Sequence, residues 1–390
     1  MKNIYLLLLF FISTLSFGQL NTNYAIVDAK MIAIPSNASA STETIANYIN
    51  TYFKTENDKI RAAFFWTASN ISYDVKNMFA QNSDETSQEK ITTTLKLRKG
   101  VCIHYAEVFN DIANKIGIQS HIIVGYTQQN RIISTLSHAW CAAKIDSKWY
   151  VFDPTWGAGF VKNGIFVKKL NNYYFKTEPE KSIASHIPFD YLWQFLNYPI
   201  TNQEFYDGKI QINKSKPFFN FEKEIEKTLS LSESDKIWES RKRIEKNGVK
   251  NQLIQEYLNS RKKEQEVVNH NLNVEKINTI TDEYNQAIAL FNDFIYYKNN
   301  KFKPILADYE INKMIQNPKD NLVNCQNNLD NLAAVGSGNS ANLASLRKSI
   351  YDALTQVEKQ ELFVKDYLSK SKIARKSMFS KVTWFGIPLN

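Results

Sequence analysis

Three residue types able to share one acyl-transfer reaction stand in chain order as Cys102, His138 and Asp153. A cysteine attacks a carbonyl as its thiolate, and an ordinary thiol is only slightly ionised at neutral pH. A nucleophilic cysteine therefore needs a base, and the base needs an orienter. Cys102 lies in KGVCIHYAEVFNDIANKIG, Lys99 to Gly117, where Tyr105, Ala106, Phe109, Ile112, Ala113 and Ile116 form one apolar helical stripe. Gly117 supplies the C′ stop. The thiol thus sits at or just before the first turn, where unpaired N–H groups and the positive end of the helix dipole favour a thiolate.

The base and its orienter follow from LSHAWCAAKIDSKWYVFDPTWG. Two strand-like runs, His138 to Ile145 and Lys148 to Asp153, flank Asp146-Ser147, which reads as a tight hairpin turn. With Ile145 opposite Lys148, Trp140 faces Asp153 and His138 faces Thr155. Side chains alternate along a strand, so His138, Trp140 and Asp153 share one face and Cys141 takes the other. His138 and Asp153 become diagonal neighbours, about 7–8 Å apart at the backbone and within side-chain reach. His186 is the rival base, but it lies in a Pro-containing irregular segment for which the pattern gives no carboxylate partner.

The motifs GVCIHYA, SHAW and WYVFDPTW resemble the transglutaminase-like superfamily, whose papain-like arrangement runs Cys, His, Asp. That resemblance implies Cys102, His138 and Asp153 as the catalytic triad and an α+β domain of helices packed on an antiparallel sheet. It extends over roughly Thr42 to Tyr206. WTASNISYD (Trp66 to Asp74) and HIPFDYLWQFL (His186 to Leu196) are similar to bacterial members related to the kyphoscoliosis-type branch. Trp66 and Trp140 are expected to line or approach the site, although a core role serves Trp66 equally. His104 departs from the pattern, which usually has a small residue there, and bears on the width of the acceptor channel.

The elements that must position these residues begin after MKNIYLLLLFFISTLSFGQL. One Lys, an apolar run from Ile4 to Leu15 and small residues before Gln19 have the form of a secretory signal peptide over residues 1–18. The expectation is an exported protein, periplasmic or secreted, with no stable membrane span after cleavage. Ser41 onward reads as a helix with Ile45, Ile49, Tyr52 and Phe53, and Asn57 or Asp58 as the cap of a second with Ile60, Ala63, Phe64 and Ala68. Asn77 to Glu89 reads as a polar surface loop. Gln119 to Tyr126 alternates like a strand with Gln128 to Asn130 as its turn, His121 being structural, and Asn163-Gly164 marks a second hairpin. The helix-then-sheet order predicts an α+β catalytic domain over 19–213.

Beyond Lys214 strand signals vanish. Ile277, Ile280, Tyr284, Ala287, Phe291 and Phe294 repeat at three and four, as do Leu322, Cys325, Leu329 and Leu332, and Leu343, Leu346, Ile350, Ala353 and Val357. These predict an antiparallel helical bundle with coiled-coil-like seams over 214–375, with Asn317-Pro318 beginning one element and Val335 to Ala341 forming a loop. The apolar tail 376–390 is expected to dock. The net charge of +9 comes mainly from this helical part, but acidic residues interleave with the basic ones, so it reads as a solvated face and a possible protein-binding surface. No nucleic-acid motif or phosphate-cradling glycine loop occurs. Cys102 and His104 diverge on a helix, and no second pair completes a metal site; no cofactor is implied. Cys141 and Cys325 read as buried residues, leaving Cys102 as the reactive thiol. The expected function is cysteine acyl transfer or hydrolysis on a protein or peptide substrate through a thioester. The alternative is an inactive scaffold for protein interaction.

Overall fold

The computed structural model describes residues 23–79, 85–332 and 340–379. The expected signal peptide, residues 335–339 of the expected loop and the tail from residue 380 lie outside the described residues. Backbone contacts divide the chain into two units, Met1–Arg261 and Lys262–Asn390.

In the first unit, α1 (Asn23–Ile32) precedes α2 (Thr42–Tyr52), whose cap Ser41 forms a reciprocal capping box with Thr44. The next helix, α3 (Glu56–Asn70), is capped by Thr55 rather than by the expected Asn57 or Asp58, because the Thr55 hydroxyl accepts the Asp58 amide. A two-residue strand, β1 (Ser72–Tyr73), follows. The surface loop expected as far as Glu89 ends earlier, at Thr86, where Thr86 and Glu89 cap α4 (Ser87–Leu97). That Thr-x-x-Glu spacing is itself a helix-start signature. A short β2 (Lys99–Gly100) pairs in parallel with β1 and delivers the chain into α5 (Cys102–Lys115). Gly117, at φ +86°, turns the chain out of that helix.

The sheet is built from β3 (Ser120–Gln129), β4 (Ile132–Ile145) and β5 (Lys148–Phe152). Both connecting turns are two residues long, Asn130-Arg131 and Asp146-Ser147, with positive φ at each position. This geometry matches the twist of the flanking strands. The first turn lies beyond the expected Gln128 to Asn130, so β3 is longer than its alternation suggested. After β5 come α6 (Pro154–Ala158) and the Asn163-Gly164 hairpin of β6 (Gly159–Lys162) and β7 (Ile165–Lys168). Then α7 (Pro179–Ser182) leads to β8 (His186–Pro188), which closes the four-stranded antiparallel order β5-β4-β3-β8.

Alternation along β4 sorts the two faces of this sheet. Ala139, Cys141, Ala143 and Ile145 pack with α3 and α5 in the main core, whereas Trp140 and Ala142 pack with Ile123, Trp149, Val151, Leu192 and Phe195. Cys141 Sγ donates to the Ala106 carbonyl at 3.3 Å, and His121 lies between Trp149 and Trp193. The short α8 (Asn202–Tyr206), α9 (Phe221–Ser230), α10 (Glu233–Asn247) and the first turns of α11 (Gln252–Asn299) supply Phe205, Ile225, Ile244, Ile254 and Leu258 to the cores of this same unit. The compositional change near Lys214 therefore precedes the division in contacts at Arg261.

The second unit has its own core, formed by the remainder of α11 with α12 (Asp308–Asp330) and α13 (Ser340–Ser369) and followed by α14 (Lys372–Ser377). Seam residues Ile280, Ala287, Phe294, Leu322, Cys325, Ile350 and Val357 are all buried there. Lys319 pairs with Glu361 and Arg347 with Asp330, so α12 and α13 run antiparallel. Pro318 lies inside α12 rather than at the start of an element. Phe379 packs on Phe302 and Tyr367.

Candidate active site

Cys102 is the first residue of α5, and its cap, Val101, offers no side-chain acceptor to the opening amides. The His138 ring and the Ala139 backbone N–H both favour the charged form of the thiol. Burial pushes this thiol up, but the His138 hydrogen bond and charge, with the Ala139 amide, outweigh it and hold Cys102 below an ordinary thiol. His138 Nε2 lies 2.8 Å from Asp153 Oδ2, which leaves Nδ1 as the nitrogen toward sulfur. Burial opposes a cation at His138, yet the Asp153 carboxylate and the Cys102 sulfur raise it to about 10. Asp153 is 2% exposed; burial opposes its charge, and His138 and His186 together keep it well below the usual carboxylate range.

Asp153 reaches His138 by a route the strand pattern did not contain. Pairing stops at Cys141–Phe152, so Trp140 has no ladder partner at Asp153 and His138 none at Thr155. Instead Asp153 is the N-cap of α6: Oδ1 accepts the Thr155 and Trp156 amides at 2.9 and 3.0 Å, and Pro154 occupies the first helical position. Asp followed by Pro is a helix-start pair, and that signal could have located the turn.

His186 was the residue that sequence reasoning set aside. It is a β8 residue paired with Thr127 of β3, and its Nε2 lies 3.1 Å from the same Asp153 Oδ2. Trp156 was also missed as a site residue; its ring is 5.4 Å from the His138 ring and 4.6 Å from that of His186. Trp140 lies behind these groups, buried, 5.9 Å from His138 and 5.1 Å from His186. Trp66 is fully buried in α3, with the Arg98 guanidinium 4.8 Å from its ring centre. His104 turns back on its own helix start: Nδ1 accepts the Val101 N–H at 3.2 Å, and its Cβ lies where a Gly100 side chain would fall.

A cavity of about 600 Å³ opens against His138, walled by Tyr73, Trp156, Phe166, Lys169 and Tyr174. Burial, with Cys102 nearby, raises the Tyr73 phenol to about 12, so it remains protonated. His138, Asp153 and His186 bring three metal-capable atoms within 4.8 Å of one another. These atoms already satisfy each other through Asp153 Oδ2, and an ion would have to break both hydrogen bonds. A thiol at a helix start, an imidazole and a buried carboxylate in series are equipped to form and break an acyl thioester.

Residues 43–154 match the profile of the Transglutaminase-like superfamily. Over that segment the chain is similar to the superfamily. Among curated relatives, kyphoscoliosis peptidase of Mus musculus is 30% identical over 183 residues, 43% of this chain and 27% of that protein. Its Homo sapiens counterpart is 31% identical over 159 residues, covering 39% and 24%. Hillarin of Drosophila melanogaster is 25% identical over 173 residues, covering 39% and 20%. The chain thus spans about a quarter of the length of these relatives. Among solved structures, the periplasmic domain of TgpA from Pseudomonas aeruginosa is similar over 34% of this chain and 48% of that one, with 17% identity and a TM-score of 0.25. His186 lies beyond the matched profile.

Proposed function

We propose that this chain is an exported cysteine acyltransferase or hydrolase acting on carboxamide or peptide carbonyls of proteins, with Cys102 as nucleophile, His138 as acid and base, and Asp153 as orienter. The observation that carries the reading is the His138 ring, hydrogen-bonded to Asp153 Oδ2 at 2.8 Å and coupled electrostatically to the Cys102 sulfur. Raising the imidazole and lowering the thiol both favour a thiolate–imidazolium pair. The thiolate adds to the carbonyl carbon, and the amides opening α5 stabilise the oxyanion, a contribution of about 3–4 kcal/mol per donor in comparable sites. Collapse expels ammonia or an amine, which takes the proton from His138, and leaves an acyl thioester on Cys102. His138, now neutral, removes a proton from the incoming nucleophile. A lysine-like amine then yields an isopeptide bond, and water yields the free acid.

The name of the mouse and human relatives makes peptide hydrolysis the first outcome to examine. Export rests on the form of the first eighteen residues. Among the described residues no helix is long and apolar enough to cross a membrane. The test incubates the full chain with a denatured protein and a fluorescent primary amine, recording amine incorporation, ammonia and new peptide termini. At least one signal is expected, reduced about 10³-fold or more in Cys102→Ala. Absence of all three from protein with intact Cys102 would overturn catalysis in favour of a binding scaffold.

A further inference from the structure

Asp153 carries a negative charge in a site almost closed to water, and such a charge is tolerable only when its oxygens are filled. A carboxylate offers about four lone-pair positions. Two are taken by the Thr155 and Trp156 amides on Oδ1, and one by His138 on Oδ2. The fourth donor is His186 Nε2, at 3.1 Å. Taking Cys102, His138 and Asp153 as the reacting series proposed above, we infer that His186 is a positioning residue: a neutral imidazole whose Nε2–H fills the remaining site on Asp153 and holds that carboxylate toward His138.

The tautomer follows from both sides of the ring. Ser185 Oγ lies 2.8 Å from His186 Nδ1, whereas its competing acceptor, the Ser182 carbonyl, is at 3.5 Å. The Asp153 carboxylate can only accept, so Nε2 carries a hydrogen, and in the neutral ring the Ser185 hydroxyl donates to the bare Nδ1. The titratable groups facing the ring are Asp153, His138 and Tyr174. Burial and the neighbouring His138 cation depress His186, against the opposing pull of Asp153. Its orientation is fixed on three sides. Trp140 and Trp156 pack edge-on against the ring, and β8 is bonded to β3 by Thr127–His186 pairing and by the Gln128 amide on the Ser185 carbonyl.

Sharing Oδ2 between two donors has a chemical consequence. With His186 removed, the oxygen has more charge to offer His138, so the imidazolium persists to higher pH and gives its proton to a leaving amine less readily. A glutamine at this position can return an N–H to roughly the place of Nε2.

The experiment uses the full chain without substrate. Nitrogen-15 spectra of labelled histidines are expected to show His186 neutral at pH 7 with its hydrogen on Nε2. The alkylation rate of Cys102 by iodoacetamide, followed against pH, is expected to have its alkaline limb displaced upward in His186→Leu by about half a pH unit or more. That limb should return to the wild-type position in His186→Gln. A general loss of packing would lower the rate in both variants without moving the limb selectively. A His186 cation at pH 7, a hydrogen on Nδ1, or limbs that coincide in the Leu and Gln variants would each overturn the inference. If His186→Leu does not fold, the wild-type ring nitrogens and the Gln variant still decide. Failure of catalysis would register separately, as absent product from wild-type protein whose ring spectra and alkylation limb behave as described.

Discussion

Two residues beyond the nucleophile, His104 uses its ring to complete the start of α5. Its Nδ1 accepts the Val101 amide, as Gln or Glu does at the third helical position in a capping box. Only a neutral ring can accept there, and a cation would also oppose the positive end of the helix dipole. Burial lowers the pKa of His104, against the raising effect of Glu85 and Asp74. Below about pH 6.5 the unfolded chain binds a proton that the folded chain resists. The contribution of His104 is therefore full above that pH and declines as pH falls toward the depressed folded value. In thermal melts between pH 7.5 and 5.5, His104→Gln should lose less stability than wild type while keeping the acceptor. His104→Ala should be less stable by about 1 kcal/mol at the upper end; parallel wild-type and Gln curves would show that this ring does not titrate with folding. The capping role of His104 was not legible in the sequence, because spacing along a helix does not say whether a side chain points outward or back to its own cap. The register of β4 and β5 was legible because the Asp146-Ser147 turn fixed it, and the nearness of Asp153 to His138 followed although Asp153 leaves the ladder to cap α6. His186 was not legible, since the strand that brings it to Asp153 is only three residues long and pairs with β3 across a gap of more than fifty residues.

At the scale of elements, the approach of β8 to β3 depends on Gly125, which sits opposite both His138 on β4 and Pro188 on β8. A Cβ there would lie 2.1 Å from the Ile187 carbonyl oxygen and 2.7 Å from the Pro188 Cα, backbone atoms that cannot swing aside as a side chain can. Gly125→Ala should therefore displace β8, cost about 1–3 kcal/mol in a thermal or denaturant melt, and carry His186 off Asp153. The His186 ring signals should change in the same variant; unchanged ring signals would show that β3 and β8 can yield without separating. The two-residue turns show what local sequence does specify. Asn163-Gly164 and Asp146-Ser147 each adopt positive φ at both positions and set the register of their hairpins. The strand pattern failed one residue later, at Asp153, where helix capping competes with ladder pairing and wins because Pro154 can start a helix but cannot donate to a sheet.

On the scale of the whole molecule, composition and packing divide the chain differently. Residues after Lys214 are rich in Lys, Glu and Asn, which reads as solvated helix, yet α9 and α10 turn Ile225 and Ile244 into the cores of the first unit. A charged pair also belongs to that unit: Arg243 of α10 grips Asp190 with two hydrogen bonds of 2.8 Å, and both side chains are buried. Asp190 follows β8 by two residues and also accepts the Leu192 amide. Removing Arg243 leaves a buried carboxylate with its principal counter-charge gone, a defect that costs about 3–5 kcal/mol. Arg243→Met should accordingly lower the calorimetric transition of the first unit by that amount. Adding Asp190→Asn should recover much of the loss, because the stranded charge is then absent. The core of the second unit is made by Ile280, Phe294, Leu322, Ile350 and their neighbours. Its transition should stay in place in both variants; a parallel shift of both transitions would mean that the two cores unfold as one cooperative body.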